Sequence, residues 1–352
     1  MRISNYIIVF VILFLFHNDV YGQIGGRFAF ESAGLPGNAR LSALGGSLVA
    51  VIDEDVTLAQ INPAALDSLS DHQFAINHNF HFAGTQFGNL AFGKYLQRSG
   101  ISTHASFQYY DYGTFDLTDD IGNINGEFSA GEYAFIVGAS RQLNERIRGG
   151  ANFKMMFSNY ESYGSFALGL DLGIHYKAPG SNTSLGLVIR NIGHELDAVV
   201  DQKRALPLDI QFGFSKKLEH LPFRFSIIAH QMQKWYVRYD DPDADRQTDI
   251  FGNISEKSGL SKSVDNLFRH LIFNGEFLIG RMEQFRIRFG YNHFRKQELK
   301  VSTFRSLAGF SFGIGFNIKK IKIDYGVGYY HISGANNHLS LRLNMDRIFN
   351  KI

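Results

Sequence analysis

The chain has 352 residues and a formal net charge of +2, so its charge calls for neither nucleic acid nor a strongly acidic partner. It holds no cysteine, which excludes disulfides and a lipidated N-terminal thiol and leaves the fold itself as the means of any membrane attachment. Phe (33) and Tyr (16) are abundant, Trp (1) and Pro (6) are scarce and 36 glycines are spread along the chain, a profile that suits a β-barrel with interfacial aromatics and a small-residue interior.

At the start, Met1 and Arg2 form a short basic region and Tyr6 to Phe16 an uncharged apolar core. This stretch is too short for the ~20 apolar residues that a spanning helix needs. It has the form of a secretory signal, with cleavage expected between Gly22 and Gln23. Residues 23–71 do not alternate as strands do. They hold a predicted short helix (Asn38 to Leu44), an apolar run (Leu48 to Ile52), an acidic turn (Asp53-Glu54-Asp55) and Asn62-Pro63-Ala64-Ala65-Leu66. Such a segment either fills a barrel lumen as a plug or caps its periplasmic rim.

From Asp71 onward, fourteen stretches read as strands: 72–81, 86–97, 101–112, 131–142, 146–160, 163–177, 183–192, 206–217, 222–236, 268–281, 284–294, 304–318, 320–332 and 337–346. The clearest phase runs from Phe166 to Tyr176, where Phe166, Leu168, Leu170, Leu172, Ile174 and Tyr176 alternate with Ala167, Gly169, Asp171, Gly173 and His175. A period of two segregates residues this way and a period of 3.6 does not. The count is even, as single-chain bacterial barrels require. Long connections, at 113–130, 193–205, 237–267 and 295–303, all follow odd strands, whereas connections after even strands are short. Outer-membrane barrels place short turns in the periplasm and long loops outside, so both barrel ends are expected in the periplasm. A water-soluble β-sandwich shares the alternation but has no such parity rule.

Pro36 to Leu66, PGNARLSALGGSLVAVIDEDVTLAQINPAAL, resembles the N-terminal signature of the long-chain fatty acid transporter (FadL) superfamily, through Gly45-Gly46, an acidic stretch and Asn62-Pro63-Ala64. Within that superfamily the chain is similar to the Bacteroidetes branch associated with type IX secretion, and to PorQ-like more than PorV-like members. Asp265 to Phe277, DNLFRHLIFNGEF, is also similar to that branch. The resemblance implies an all-β, 14-stranded antiparallel transmembrane β-barrel with an N-terminal plug or cap: signal 1–22, plug or cap 23–71, barrel 72–352. It further implies an outer-membrane component of an attachment complex that holds a PorZ-like surface partner together with the PorU sortase and PorV. A transporter of hydrophobic small molecules is the alternative, and a general porin is disfavoured by the segment ahead of the first strand. The chain continues past its final strand, with Phe349 as the candidate terminal aromatic.

Neither a cofactor nor a metal is called for. His72, His78 and His81 cluster in sequence, but 78 and 81 have opposite strand parity. Asp240 to Asp245 lacks the glycine and terminal Glu of a calcium loop. Gly309-Phe310-Ser311-Phe312-Gly313 matches Gly-x-Ser-x-Gly, yet it falls inside a strand and lacks the strand-turn-helix setting of a nucleophile. Leu260, Val264, Leu267, Phe268 and Leu271 recur at helical spacing, either as a helix packed over the barrel mouth or as a partner-docking stripe centred on Leu260, Val264 and Leu267. Inward Arg148, Lys154, Asp171, Arg224, Arg286 and Arg288 predict a partly charged lumen.

Overall fold

A strand with hydrocarbon on one face has no water to satisfy its backbone, so it must pair on both edges, and a closed barrel follows. The computed structural model describes residues 28–81, 84–199, 203–238, 247–248, 254–255, 259–281, 283–299, 306–318, 321–331 and 334–346. The barrel strands are β1 (Gln73–Phe80), β2 (Gln86–Leu96), β3 (Ile101–Thr118), β4 (Ile124–Gln142), β5 (Ile147–Tyr160), β6 (Tyr163–Lys177) and β7 (Thr183–Asp197). They continue as β8 (Asp209–Lys217), β9 (Phe223–Ala229), β10 (Leu271–Ile279), β11 (Phe285–Asn292), β12 (Phe310–Ile318), β13 (Ile321–His331) and β14 (Gly334–Asn344). Every strand pairs antiparallel with its sequence neighbours and β1 pairs with β14, so the barrel is closed. Helices α1 (Ala39–Ala43), α2 (Gly259–Arg269) and α3 (His293–Glu298), several 3-10 turns and a small antiparallel pair of Gln247–Thr248 with Ile254–Ser255 complete the described regular structure.

All fourteen expected strands are present. In β6, Ala167, Gly169, Asp171, Gly173 and His175 are buried, while Leu168, Leu170, Leu172 and Ile174 lie half-buried or exposed on the outer wall. β14 repeats the pattern, with Ser340 and Arg342 buried and Leu339 and Leu341 outside. Among the described residues no helix is long and apolar enough to cross a membrane; the strands cross it. The connections 97–100 and 143–146 follow even strands and are short, as is the two-residue gap between β12 and β13, whereas the connections 198–208, 230–270 and 293–309 follow odd ones. The short-turn end carries both Gln73 and Asn344. The protein is thus an outer-membrane barrel in contact with lipid, and its ends open to the periplasm.

Several boundaries differ from expectation for physical reasons. Stretch 113–130 is mostly ladder, because β3 and β4 keep pairing past a bulge at Asp111/Gly113 and stand above the membrane as a hairpin. β7 likewise runs on to Asp197, across a bulge where Asn191 takes a positive φ of 59°. On the opposite side the strands stop early: β9 ends at Ala229, so Trp235 lies outside the ladder, and residues 259–269, whose apolar side chains match a helical period, coil ahead of β10. The wall is therefore tall over β3–β7 and low over β8–β11. Gly22, Gln23, the Asp240–Asp245 stretch and Phe349 lie outside the described residues.

Candidate functional site: the plugged lumen

Residues 29–71 occupy the barrel interior. Their apolar side chains Leu41, Leu44, Leu48, Val49, Val51, Leu58 and Ile61 form a buried cluster with inward Val188, Ile228 and Ile272 of the wall. The segment is thus a plug with a core of its own, and the barrel supplies that core's outer layer.

The motif residues shape the plug's turns. Asn38 caps α1 by accepting from Leu41 N at 2.7 Å. Gly45 and Gly46, at φ 81° and 108°, then end it in left-handed backbone that a Cβ would strain. Gly46 N donates back to Leu41 O at 2.9 Å, the wrap of a Schellman stop. Asn62 accepts from Ala64 N at 3.0 Å and donates to Val49 O at 2.8 Å. Pro63 starts the next turn, where its missing N–H is no loss. Asn-Pro-Ala is a capped 3-10 turn tied to the plug's apolar run.

The wall receives this backbone in notches of glycine. A Cβ on Gly150 would meet Pro63 C at 2.6 Å, one on Gly313 would meet Ala43 Cβ at 2.5 Å, and one on Gly326 would strike Ala39 O. Gly173, Gly186 and Gly290 face Asn62, Val49 and Leu44 in the same way. Inward glycines leave room, as their strand phase implies, and the plug takes that room.

Ion pairs fix the plug at the periplasmic half. Arg40 of α1 contacts Asp53 at 2.8 Å and Glu276 of β10 at 3.0 Å, and Arg342 of β14 contacts Asp55 at 2.9 Å. Arg288 bridges Glu276 and Asp324, and Lys322 meets Glu54. Arg224 approaches both Asp53 and Glu276. The acidic turn is thereby matched to a basic wall, and removing either side would leave buried charge unpaired. A second cluster joins Lys154 to Asp171 at 2.8 Å and to Asn191 at 2.7 Å. Arg148 donates to Leu66 O. Inward charges that looked like a polar channel serve chiefly to hold the plug and brace the wall.

Near the extracellular half, the plug's first described turn closes a small aromatic pocket. Phe30, Phe87, Tyr110, Glu132, Ala134 and Met156 line it, and its free volume of about 10 Å³ holds no more than about one water. Glu132 accepts from Tyr112 Oη at 3.0 Å, from Tyr160 Oη at 2.5 Å and from the Ser32 hydroxyl, which ties residues 31–34 to β4. Phe30 sits at φ 53°, ψ 53°, a costly conformation for a bulky residue. Sequence reasoning missed this pocket because its members come from five separate segments, the plug and β2 to β5. A shallow depression of about 510 Å³ on the outer wall is lined by Phe92, Val137 and Phe153 and by small Ala105, Ala139 and Ala151.

The other candidates resolve into structure. Ser311 accepts from Gly45 N at 2.9 Å and donates to Ala43 O at 3.0 Å, so the Gly-x-Ser-x-Gly match is a plug anchor. His338 bonds Ser42 and His104 bonds Asn152. At the periplasmic rim, Asp71, His72 and Asp346 converge across the β1–β14 seam, but Lys94 contacts both Asp71 and His72 and supplies the cation there. Leu260, Val264 and Leu267 lie on α2, and all three are exposed.

No family model and no curated protein matches the chain. Solved structures do. The toluene transporter TodX of Pseudomonas putida matches at TM-score 0.50 and 13% identity, covering 88% of this chain and 96% of that one. A TodX monoaromatic hydrocarbon channel mutant matches at TM-score 0.51 and 13% identity, covering 89% and 98%. A FadL homologue from Pseudomonas aeruginosa matches at TM-score 0.49 and 9% identity, covering 88% and 98%. The fold is thus that of the TodX barrel. The expectation of a type IX attachment-complex anchor, with PorZ-like, PorU and PorV partners, is corrected by this finding: the structural likeness is to hydrophobic-molecule transporters, not to attachment-complex proteins.

Proposed function

We propose that this protein carries small hydrophobic molecules across the outer membrane. The observation that carries the reading is what fills the lumen: plug and wall share a buried apolar cluster running from Leu41 to Ile61, with the Phe30 pocket above it. A polar solute would lose its hydration there without compensation, whereas an apolar one loses nothing. The lumen charges do not oppose this, since Arg40, Arg288 and Arg342 are spent on Glu276, Asp324 and Asp55. Barrels of the same fold, 13% identical, are described as a toluene transporter and a monoaromatic hydrocarbon channel. The finer kinship to a PorQ-like branch rests on the wording of Pro36–Leu66 and Asp265–Phe277 alone.

In this reading cargo enters at the Phe30 pocket. The pocket, at about 10 Å³, is too small for a cargo, so residues 29–34 must move first, and the left-handed Phe30 holds strain that such a move releases. Ala134→Trp, which fills the pocket floor, tests the route. It should abolish uptake of radiolabelled toluene by cells that depend on this protein, while Ala139→Trp, on the lipid face of the same strand, should not. Equal uptake by both variants, at equal amounts of assembled barrel, would remove the pocket from the route.

A further inference from the structure

Helix α2 is inside out for a water-exposed element. Its two buried side chains are polar and face the protein: Asn266, 3% exposed, accepts from Val237 N at 3.0 Å and donates to Trp235 O at 2.7 Å. Arg269, 8% exposed, binds Asp265 at 2.9 Å and Glu298 of α3 at 2.8 Å. Its apolar side chains face away, with Leu260 82%, Val264 53% and Leu267 45% exposed. In water this arrangement places the apolar face where it gains nothing from burial.

The position of α2 supplies the missing environment. The helix sits on the low side of the barrel, where β9 has 7 residues and β10 has 9. At about 3.3 Å per residue and a tilt near 40°, a strand as short as β9 rises about 18 Å, less than the ~25 Å apolar band of an outer-membrane barrel. Leu271 pairs with Ala229 at the top of this short wall, and α2 ends just ahead of it. The C-terminal end of the helix therefore lies within hydrocarbon depth. Its stripe runs directly into the lipid-facing row of β10: the Phe268 ring lies 6.3 Å from that of Phe273, and Leu271, Phe273 and Phe277 share the outward phase. Trp235, 64% exposed, stands beside it, stacked 5.6 Å from His270, at the level where interfacial tryptophans gather.

We propose that α2 is an interfacial helix whose apolar stripe, Leu260, Val264 and Leu267 with Phe268, lies in the acyl chains of the outer leaflet and completes the lipid-facing surface above β9 and β10. The occupant is lipid hydrocarbon because the stripe continues a lipid interface already established along β10. A polar face held by Asn266 and Arg269 and an apolar face turned outward are what a helix lying in the membrane plane requires.

The absence of cysteine makes a direct test simple. Single cysteines at Leu260, Val264 and Leu267, and at Asn123 in the tip of the β3–β4 hairpin as an aqueous control, carry an environment-sensitive fluorophore in the full-length protein reconstituted in phosphatidylcholine vesicles. Quenching by acyl-chain nitroxide lipid and by aqueous iodide is then measured at each site. The three helix sites are expected to lose most of their emission to the nitroxide lipid and little to iodide, with the reverse at Asn123. Helix sites quenched by iodide as Asn123 is would place α2 in water and overturn the proposal. Helix sites shielded from both quenchers would also overturn it, in favour of a second copy or a protein partner over the stripe.

Discussion

Arg40 and Glu276 face each other as a bidentate pair inside the barrel, with Nε to Oε1 at 3.0 Å and Nη2 to Oε2 at 3.1 Å, both side chains almost fully buried. One residue belongs to the plug and the other to β10, so the contact joins two parts of the chain 236 positions apart. Arg40→Met leaves Glu276 with Arg224 and Arg288 but removes the partner that seats α1, and breaking a buried pair of this kind costs about 3–5 kcal/mol. Arg40→Lys keeps the charge and loses the fork, with a smaller loss. Limited proteolysis of the plug in detergent-solubilised barrel should rank the chains wild type, Arg40→Lys, Arg40→Met in increasing cleavage. Equal protection of all three would show that the plug is seated without this pair.

The glycine notches give a second expectation. Gly326→Val drives a side chain into Ala39 O, which is backbone and cannot swing aside, whereas Gly34→Ala meets nothing within 4 Å. Overpacking of this sort costs about 1–3 kcal/mol or more. Gly326→Val should lower the thermal transition of the folded barrel on heat-modifiability gels, and Gly34→Ala should leave it within error. A matching transition for both would mean the plug stands off the β13 wall.

On the lipid face, Leu170→Arg should impair assembly and Gly169→Ser should not. An outward arginine near mid-membrane costs about 2–4 kcal/mol. A serine at Gly169 meets only the flexible end of Leu206, whose Cδ1 lies 2.9 Å from the added Cβ. The measurement is the fraction of each variant with folded gel mobility. Comparable folding of the two would reverse the phase of β6.

Asp67 sets a pH dependence at the periplasmic rim. Burial pushes its carboxyl up to about 6, against the pull of the Leu69 N–H that it accepts at 2.8 Å and of Arg148. A folded value above the unfolded one stabilises the protonated form, so this contribution is fully present below about pH 3.8 and is lost as pH rises through about 6. Asp67→Asn keeps a capping oxygen and cannot titrate. Subtracting its denaturation midpoints from those of the wild type, measured from pH 3.5 to 7.5, should give a difference that shifts against the wild type as pH rises. A flat difference would place Asp67 in water.

Much of the barrel was legible because the period of two is imposed by the two solvents of each strand. Phe166 to Tyr176 and Leu339 to Leu343 show it plainly, and loop parity oriented the whole. What the sequence concealed depends on closure. Gly173 reads as a small inward position until Asn62 of the plug is found against it. Arg288 reads as a channel charge until β11 and β13 bring it within 2.6 Å of Asp324. The helical spacing of Leu260, Val264 and Leu267 was visible, but not that Asn266 and Arg269 turn inward. Nor could spacing reveal the Phe30 pocket, since Phe87, Glu132 and Met156 meet only once β2, β4 and β5 are side by side. The mistaken anchor reading came from family resemblance and not from residue chemistry.

The most direct measurement is uptake through the intact protein, set against a polar solute. Cells lacking their own hydrocarbon transporter and making this chain are given radiolabelled toluene and, separately, a labelled pentose of comparable size, with initial rates normalised to folded barrel in the outer membrane. Toluene entry should rise severalfold over the empty-vector strain and fall back with Ala134→Trp, while pentose entry stays at the vector level throughout. Pentose entry that rises with the protein while toluene entry does not would contradict hydrophobic transport and make the plugged lumen a polar path.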